Sequence, residues 1–555
     1  MIVVNYTIFP WFIRLLYIIY ILIFMEALSS ITQIKDAIAN ITLRSDKQND
    51  ENVLFNTFVD IPGLISSLKS VNSHVIFGRR GTGKTHILKY LKTFEKQAGD
   101  IPIYIDLRTI GSSDSIYSNE CNTVPVKQRA LRLLLDVLES IHTEIRSALV
   151  QNQGRISDYN NAINEVDEVF ADLITESIIE GSSTQELNCS RGTHQTSKSS
   201  IIASLDPSKP HVDTEFGKSS ETDTTIGQSI KREGKICRYL DYRGITDSMQ
   251  RIMKSIDPIR IWLLIDEFSA VPIELQPYLA DMFKRVFIPI SNIVLKISAV
   301  EYRVNLFLDD ENHSRLGMEL GADIFSEYLD EYFVYDCHEK ASLDFFKTLF
   351  YNHINSLLEE GSKLTSHEEF VSVMFASEDA FLELVRASEG VPRDAVQILT
   401  HASSLSGNES KISIKNVREA ARTWYVKDKH SNVVRHDKAS KLLNWIIDEV
   451  IKGRQARAFL LEDNVQDDLI RYLFDARLLH IIRKDISAKD TPGHRYYVYS
   501  IDYGCYCEMI KSRRDNQFCL FSVGDENGEE RVIVPKNDYR SIRRAILDMS
   551  KFYHS

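Results

Sequence analysis

The chain has 555 residues, of which 43% are hydrophobic and 26% are charged, and its formal net charge is −12. This length allows about three or four domains at one per roughly 150 residues, and the composition is ordinary for a soluble globular protein. The acidic balance excludes a protein that coats polyanions through an overall excess of positive charge. Seven scattered cysteines do not indicate a disulfide framework, and a zinc site at Cys505, Cys507 and Cys519 would need a fourth ligand.

Residues 1–25 form an apolar segment that is long enough to span a bilayer. Pro10 and Arg14 interrupt it, however, and no basic segment precedes it as in a signal peptide. Three interpretations stay open: an over-extended start, with Met25 as the true first residue; a membrane anchor; or a buried helix. Residues 26–54 are expected to be an N-terminal helix and linker, with one helical face made by Leu28, Ile31, Ile34, Ile38 and Ile41.

Strands and helices alternate over residues 55–336. This alternation indicates a parallel sheet flanked by helices, which is an α/β fold. A helical region, the lid, is expected at 337–428. A winged-helix-like domain is expected at 439–502 and a C-terminal extension at 503–555. The five strands predicted from short apolar runs lie at 73–77, 101–106, 259–266, 292–300 and 331–336.

A change of composition interrupts the alternation at residues 181–235. This segment is rich in serine and threonine, and Phe216 is its single aromatic residue. It cannot bury enough apolar surface to offset the entropy of ordering its backbone. The composition therefore predicts a disordered insertion within the α/β domain.

Residues 78–85, GRRGTGKT, match the pattern G-x-x-x-x-G-K-[ST] and stand between a predicted strand and a predicted helix. The glycines let the backbone turn its N–H groups toward a phosphate, and the positive end of the helix dipole points at the same anion. Lys84 is expected to neutralise the β- and γ-phosphates of ATP, and the Thr85 hydroxyl to ligate Mg²⁺. The expected nucleotide-binding residues are Gly78, Arg79, Arg80, Gly81, Thr82, Gly83, Lys84, Thr85 and Asp266.

The sequence IWLLIDEF supplies an acidic pair at the end of the third predicted strand. Four apolar residues bury this strand and bring Asp266 to the C-terminal edge of the sheet, where ligands bind in open α/β folds. Asp266 is expected to hold Mg²⁺, and Glu267 to polarise the water that attacks ATP. Because phosphoryl transfer needs mainly positioning and charge neutralisation, these few groups suffice for an ATPase.

With these motifs the chain resembles AAA+ ATPases of the origin-recognition-like branch, over residues 55–425 and more loosely to 502. The resemblance rests on GRRGTGKT, LLIDEF, the end of the strand KISAV and the segment GVPRDAVQILTHA. It implies that Ser298 is the polar residue called sensor one. It also implies that Arg393, in the first turn of a helix that Pro392 begins, reaches the γ-phosphate from the lid as sensor two.

The resemblance further implies that the protein forms homo-oligomers in which a neighbouring subunit supplies an arginine finger. Arg315 lies at the expected place ahead of the fifth strand, and Arg303 is the competitor. The chain departs from the family pattern in the length of the stretch between Thr85 and Asp266, which the insertion extends.

The winged-helix-like region leaves two functions open. Its would-be recognition helix carries Asp467, Asp468 and Asp475, whereas phosphate contact favours positive charge. The leading hypothesis is a nucleotide-switched cytoplasmic ATPase that acts on DNA; the alternative is a signalling or scaffold ATPase whose C-terminal domain binds a protein partner. Membrane-anchored action depends on residues 1–25. The basic residues that would contact DNA are Arg483, Lys484, Lys489 and Arg495.

Overall fold

The chain divides into two compact units, one made by Met1–Ile110 with Ile259–Ser555 and the other by Gly111–Pro258. All the expected site residues belong to the first unit. No helix among the described residues is long and apolar enough to cross a membrane, and residues 1–25 lie outside them. The computed structural model of the protein describes residues 30–48, 50–61, 63–110, 125–156, 158–171, 174–180, 218–225, 228–309, 315–332, 338–408, 410–454, 456–465, 467–487, 493–512, 522–524, 530–532 and 545–554.

The strands of the described residues fall into five sheets. In chain order within the described residues they are β1 (His74–Phe77), β2 (Ile101–Asp106), β3 (Ile174–Glu180), β4 (Lys218–Thr225), β5 (Gln228–Leu240), β6 (Ile261–Asp266), β7 (Ile293–Ala299), β8 (Phe307–Asp309), β9 (Arg315–Gly317), β10 (Phe325–Tyr328), β11 (Ala458–Glu462), β12 (Leu479–Ser487), β13 (Arg495–Ile501), β14 (Ser522–Gly524) and β15 (Glu530–Val532).

The helices connect these strands and make up most of the lid. In chain order within the described residues they are α1 (residues 30–39), α2 (Glu51–Asn56), α3 (Leu64–Leu68), α4 (Lys84–Ala98), α5 (Val126–Gln151), α6 (Tyr159–Ala171), α7 (Tyr242–Ile256), α8 (Gln276–Val286), α9 (Leu329–Tyr332), α10 (Glu339–Asn355), α11 (His367–Met374), α12 (Glu378–Ala387), α13 (Pro392–Ser406), α14 (Ile414–Trp424), α15 (Ser431–Val434), α16 (Asp437–Ile446), α17 (Asp468–Asp475), α18 (Tyr503–Ser512) and α19 (Met549–His554).

The central sheet is parallel, with the strand order β10–β1–β7–β6–β2. Every residue of β1, β6 and β7 is buried, as expected for parallel strands covered on both faces. The α/β fold predicted from the sequence is confirmed. Because neighbouring parallel strands end at the same edge, the sheet sets Gly78, Asp266 and Ser298 side by side.

The fifth strand of this sheet does not lie where the sequence predicts it. The strand is β10, at 325–328, whereas residues 329–332 form α9 and residues 333–337 lie outside the described residues. The apolar pattern of residues 331–336 drew the prediction there, but β10 is a partly exposed edge strand and needs no such pattern. The shift has a consequence for the site, because it puts Asp330 in α9 beside residue 79.

The lid and the N-terminal helix share one hydrophobic cluster. Aromatic residues of α10 to α12 fill its centre, and Ile34 and Ile38 of α1 belong to the same cluster. Lys35 of α1 donates hydrogen bonds of 2.7 Å to Ser406 Oγ and to the Ser410 carbonyl. Of the predicted helical face, Ile34, Ile38 and Ile41 therefore pack in this cluster, and Leu28 lies outside the described residues.

The second unit contains the segment expected to be disordered. Within 181–235, residues 181–217, 226 and 227 lie outside the described residues, so the prediction stands untested there. The remaining part forms β4 and the start of β5, which pair antiparallel with Thr225 opposite Gln228. Composition did not predict these strands, because a β-ladder is held by backbone hydrogen bonds that require no apolar side chain.

The C-terminal part of the first unit, where the sequence predicts a winged-helix-like domain, combines helices with a small antiparallel sheet. Strand β11 comes after α16, α17 lies between β11 and β12, and β12 and β13 form an antiparallel hairpin in a sheet ordered β11–β13–β12. One face of this sheet joins the lid cluster and the other has a smaller core around Leu460 and Val498.

Candidate functional site

The loop between β1 and α4 turns sharply around two glycines. Gly81 and Gly83 have φ angles of +97° and +98°, which other residues rarely adopt. The Lys84 ammonium donates hydrogen bonds to the carbonyls of Gly78, at 2.6 Å, and Arg79, at 3.0 Å. Burial lowers the pKa of Lys84. The loop thus holds a desolvated cation over its own backbone, at the start of a helix.

The two arginines of the loop point in different directions. Arg80 is exposed and lines a cavity of about 340 Å³. Arg79 is buried, and its backbone N and Nε donate to the Asp330 carboxylate at 2.8 Å and 2.6 Å. Its Nη1 lies 2.6 Å from Nδ1 of His480. The structure does not bring Arg79 to the cavity wall, although the motif placed it among the nucleotide-binding residues.

Asp266, at the end of β6, is fully buried and hydrogen-bonded on both carboxylate oxygens. Oδ1 accepts from Ser298 Oγ and from the Glu267 N–H, the latter at 2.9 Å. Oδ2 accepts from the Tyr104 hydroxyl at 2.6 Å. Ser298 therefore lies beside Asp266, as its expected position predicts, while the contribution of Tyr104 was not foreseen.

Glu267 adopts a left-handed backbone conformation with a φ of +56°. Its N–H donates to Asp266 Oδ1 and to Ser298 Oγ, the second at 3.1 Å, and these contacts hold the backbone in place. A non-glycine residue in this region costs about 1–3 kcal/mol and is found most often where function requires it. The conformation brings Glu267 to the wall of the cavity that Lys84 also lines.

The first turn of α13 closes the cavity from the lid. The Arg393 N–H donates to the Gly81 carbonyl at 3.2 Å, so the lid helix begins directly on the glycine-rich loop. Burial lowers the pKa of Arg393. Its Nε is buried and has no hydrogen-bond partner among the described residues. A guanidinium in this state is suited to an anion bound in the cavity.

Several residues of the cavity wall were not predicted from the sequence. The Arg44 and Arg108 guanidiniums both pair with Asp46, and the hydrogen bond from Arg44 lowers the pKa of Asp46 to about 2. His353 lies at the apolar end, where burial lowers its pKa to about 3 and keeps it neutral. Together with those already described, the cavity is lined by Ile41, Thr42, Leu43, Ser45, Thr85, His86, Leu349, Pro392 and Val396.

The predicted Mg²⁺ ligands offer suitable donors. Thr85 lines the cavity with a hydroxyl, whereas the Asp266 carboxylate, at the end of β6, is fully buried and does not line it. Mg²⁺ is commonly held by one or two such oxygens together with phosphate and water, so the donor chemistry fits this ion. No cluster of three acidic, histidine or cysteine ligands occurs in the described ranges, and such a site does not need one.

The two candidate finger arginines differ in their surroundings. Arg315, in β9, is largely exposed and pairs with Asp309 at 3.1 Å and with Glu319 at 2.6 Å. Arg303 pairs with Asp475 of α17 inside the same chain. Arg303 therefore forms an ion pair with the C-terminal domain, whereas Arg315 lies at the surface.

The basic residues that were predicted to contact DNA are not equivalent either. Lys484 forms ion pairs of 3.0 Å with both Glu301 and Glu331, so its charge is used within the chain. Arg495 is exposed and donates to the Asp485 carbonyl at 3.2 Å. Arg483 precedes Lys484 on β12, and Lys489 lies outside the described residues.

The parallel sheet, the glycine-rich loop, the acidic pair and the lid arginine are the features on which the resemblance to AAA+ ATPases rests. A family model described as ORC-CDC6-like matches residues 44–98, and this match confirms the resemblance to the origin-recognition-like branch. Among solved structures, the chain is similar to Cdc6p from Pyrobaculum aerophilum, with 12% identity, a TM-score of 0.31 and coverage of 83% of this chain and 97% of that one. No curated protein matches the sequence.

Proposed function

We propose that the protein is a Mg²⁺-dependent ATPase that changes conformation with its nucleotide, oligomerises and acts on DNA. One observation carries the nucleotide assignment: Arg393, whose buried Nε has no hydrogen-bond partner in the part of the chain that the structure describes, lines the same cavity as Lys84 and Glu267. A desolvated donor left unpaired costs about 1–3 kcal/mol, and a phosphate oxygen would remove that cost.

Each residue then has a chemical role. Lys84 and Arg393 neutralise phosphate charge from the loop and from the lid, and Glu267 orients the attacking water and accepts its proton. Ser298 holds the Asp266 carboxylate in place through its hydroxyl. Bound at Thr85 and Asp266, Mg²⁺ would offset the charge that develops during phosphoryl transfer.

Two substitutions test the ATPase assignment. Lys84→Ala should abolish ATP binding, because the phosphates lose their cation. Glu267→Gln should bind ATP with an affinity within about threefold of the wild type. It should hydrolyse ATP at least about a hundredfold more slowly, since only the base is lost. Glu368→Gln, exposed on α11, is the control and should leave both quantities unchanged. Wild-type turnover in Glu267→Gln would rule out its catalytic role.

Action on DNA is supported by the ORC-CDC6-like match and by the exposed Arg495 on the hairpin. Binding to a duplex of unrelated sequence should weaken as salt increases, since each phosphate contact releases counterions. Replacing Arg483 and Arg495 with alanine should lower the slope of log affinity against log salt concentration by about one to two, which corresponds to one or two lost phosphate contacts.

A protein-binding scaffold is the second candidate. It is favoured by the acidic character of α17 and by the internal ion pairs of Lys484. If the wild-type protein does not bind a duplex even at low salt, the DNA proposal is wrong and the scaffold function replaces it.

A further inference from the structure

Buried polar contacts join the glycine-rich loop to the C-terminal domain. Arg79 Nη1 lies 2.6 Å from Nδ1 of His480 on β12, and His480 Nε2 lies 3.2 Å from Asp502 Oδ2. A guanidinium can only donate, so Nδ1 accepts, and the imidazole proton is on Nε2 and is donated to Asp502. Burial and the Arg79 charge lower the pKa of His480 to about 3, which agrees with a neutral ring.

The contacts continue from Asp502 to the lid. Lys429, which follows α14, donates to Asp502 Oδ2 at 2.5 Å and lies 2.9 Å from Asp394 Oδ2. These three side chains are almost completely buried. Asp394 directly follows Arg393, whose N–H bonds to the Gly81 carbonyl. The contacts therefore leave the loop at residue 79 and return to it at residue 81, two residues further along.

Each end of this pathway is held by a second ion pair. At the loop, the Asp330 carboxylate binds both the backbone and the side chain of Arg79. At the lid, Arg477 pairs with Asp394 and also with Asp428, the latter at 2.9 Å. None of these residues lines the cavity. They can influence a bound nucleotide only through the loop and Arg393.

We propose that His480, Asp502, Lys429 and Asp394 form a relay that positions the glycine-rich loop and Arg393 together, so that nucleotide binding and docking of the C-terminal domain stabilise each other. The four residues are positioning residues, and the relay rests on the proposed ATP site. Removing one member of a buried charged set leaves its partner uncompensated, so the relay is either complete or broken. Coupling between two sites is reciprocal, and so each event must favour the other.

Nucleotide affinity in the full-length protein tests the relay. His480→Leu and Asp502→Asn should each weaken binding of a fluorescent ATP analogue about tenfold, the size expected for residues in one buried network. Lys441→Gln is the matched control, because it removes an exposed ion pair with Asp437 in the same domain. Thermal unfolding without nucleotide identifies any variant that has lost its fold, and the other variant then carries the test.

A double-mutant cycle separates positioning from general stability. In an Arg393→Ala background, Asp502→Asn should weaken nucleotide affinity by a smaller factor than it does in the wild type, because only its effect through the glycine-rich loop remains. Binding of ADP should also slow amide exchange in residues 479–482 of the wild type but not of Asp502→Asn.

Three results would overturn the relay: nucleotide affinity equal to the wild type in both His480→Leu and Asp502→Asn, full additivity with Arg393→Ala, or unchanged exchange in β12 of the wild type. Each leaves the ATPase proposal standing if the wild type binds ATP. A wild type that binds no ATP contradicts the proposed function itself, and the relay with it.

Discussion

At the scale of single residues, the candidate Mg²⁺ ligand is held by three donors from different parts of the chain. The Asp266 carboxylate accepts from Ser298, from the Glu267 N–H and from Tyr104. Tyr104 lies on β2, whose register places Asp106 opposite Asp266. Hydrogen bonds to a charged group contribute about 1.5–3 kcal/mol each, so Tyr104 is expected to fix the orientation of the ligand.

Tyr104→Phe should therefore raise the Mg²⁺ concentration needed for half-maximal ATPase activity about threefold to tenfold, with ATP binding in the absence of metal unchanged. A titration of activity with Mg²⁺ measures this. Tyr332→Phe is a matched control, since the Tyr332 hydroxyl donates a hydrogen bond of 3.1 Å to Glu327 and neither residue lines the cavity. An identical Mg²⁺ dependence in wild type and Tyr104→Phe would show that Ser298 and the backbone suffice.

At the scale of elements, the glycine-rich loop and the first turn of α13 are in direct contact. A Cβ atom added at Gly81 would lie 2.8 Å from the Cβ of Arg393, closer than real Cβ atoms approach one another. The same glycine also has a positive φ angle. The loop and the lid helix therefore fit together only because residue 81 has no side chain.

Gly81→Ala should lower both the free energy of unfolding and the affinity for ATP. Gly63→Ala isolates the backbone cost, because Gly63 has a φ of +86° and no atom within 4 Å of an added Cβ. That control should cost about 1 kcal/mol, and Gly81→Ala about 1–3 kcal/mol more from overpacking. Denaturant unfolding and nucleotide titration measure the two effects. Equal losses of unfolding free energy in the two variants would mean that the lid helix shifts to accommodate the added Cβ without destabilising the protein.

At the scale of the whole molecule, the exposed position of Arg315 matters for assembly. Its two ion pairs are at the surface, where solvent screens them, so the side chain can be released to a neighbouring subunit of the proposed oligomer. Arg303 lacks this freedom because it holds Asp475 of α17. The comparison favours Arg315 as the finger that acts on the neighbouring site.

Arg315→Ala should reduce ATP hydrolysis about a thousandfold, the effect of such arginines in other NTPases, without changing ATP affinity. A mixture of Arg315→Ala and Lys84→Ala proteins should recover part of the rate, since one supplies the intact pocket and the other the finger. ATPase assays with a check of oligomeric state measure this. A mixture that stays inactive while both proteins oligomerise would eliminate Arg315 and leave Arg303 as the next candidate.

The sequence alone determined four of the five strands of the central sheet, the glycine-rich loop and the acidic pair, because these depend on local patterns. An apolar run buries a strand, two glycines permit a tight turn, and Asp266 must follow the strand that ends there. Arg393 was indicated by the resemblance to AAA+ ATPases, in a segment where Pro392 begins the helix.

Only the tertiary structure decided which residues meet those motifs. Tyr104 and Asp266 are brought together by strand register. Arg79 does not line the cavity because its guanidinium contacts Asp330 and His480 instead. Lys484 was predicted as a DNA contact from its charge, but the nearby Glu301 and Glu331 bind it. Charge and motif are properties of a segment, whereas the partner of a buried charge is set by packing between segments hundreds of residues apart.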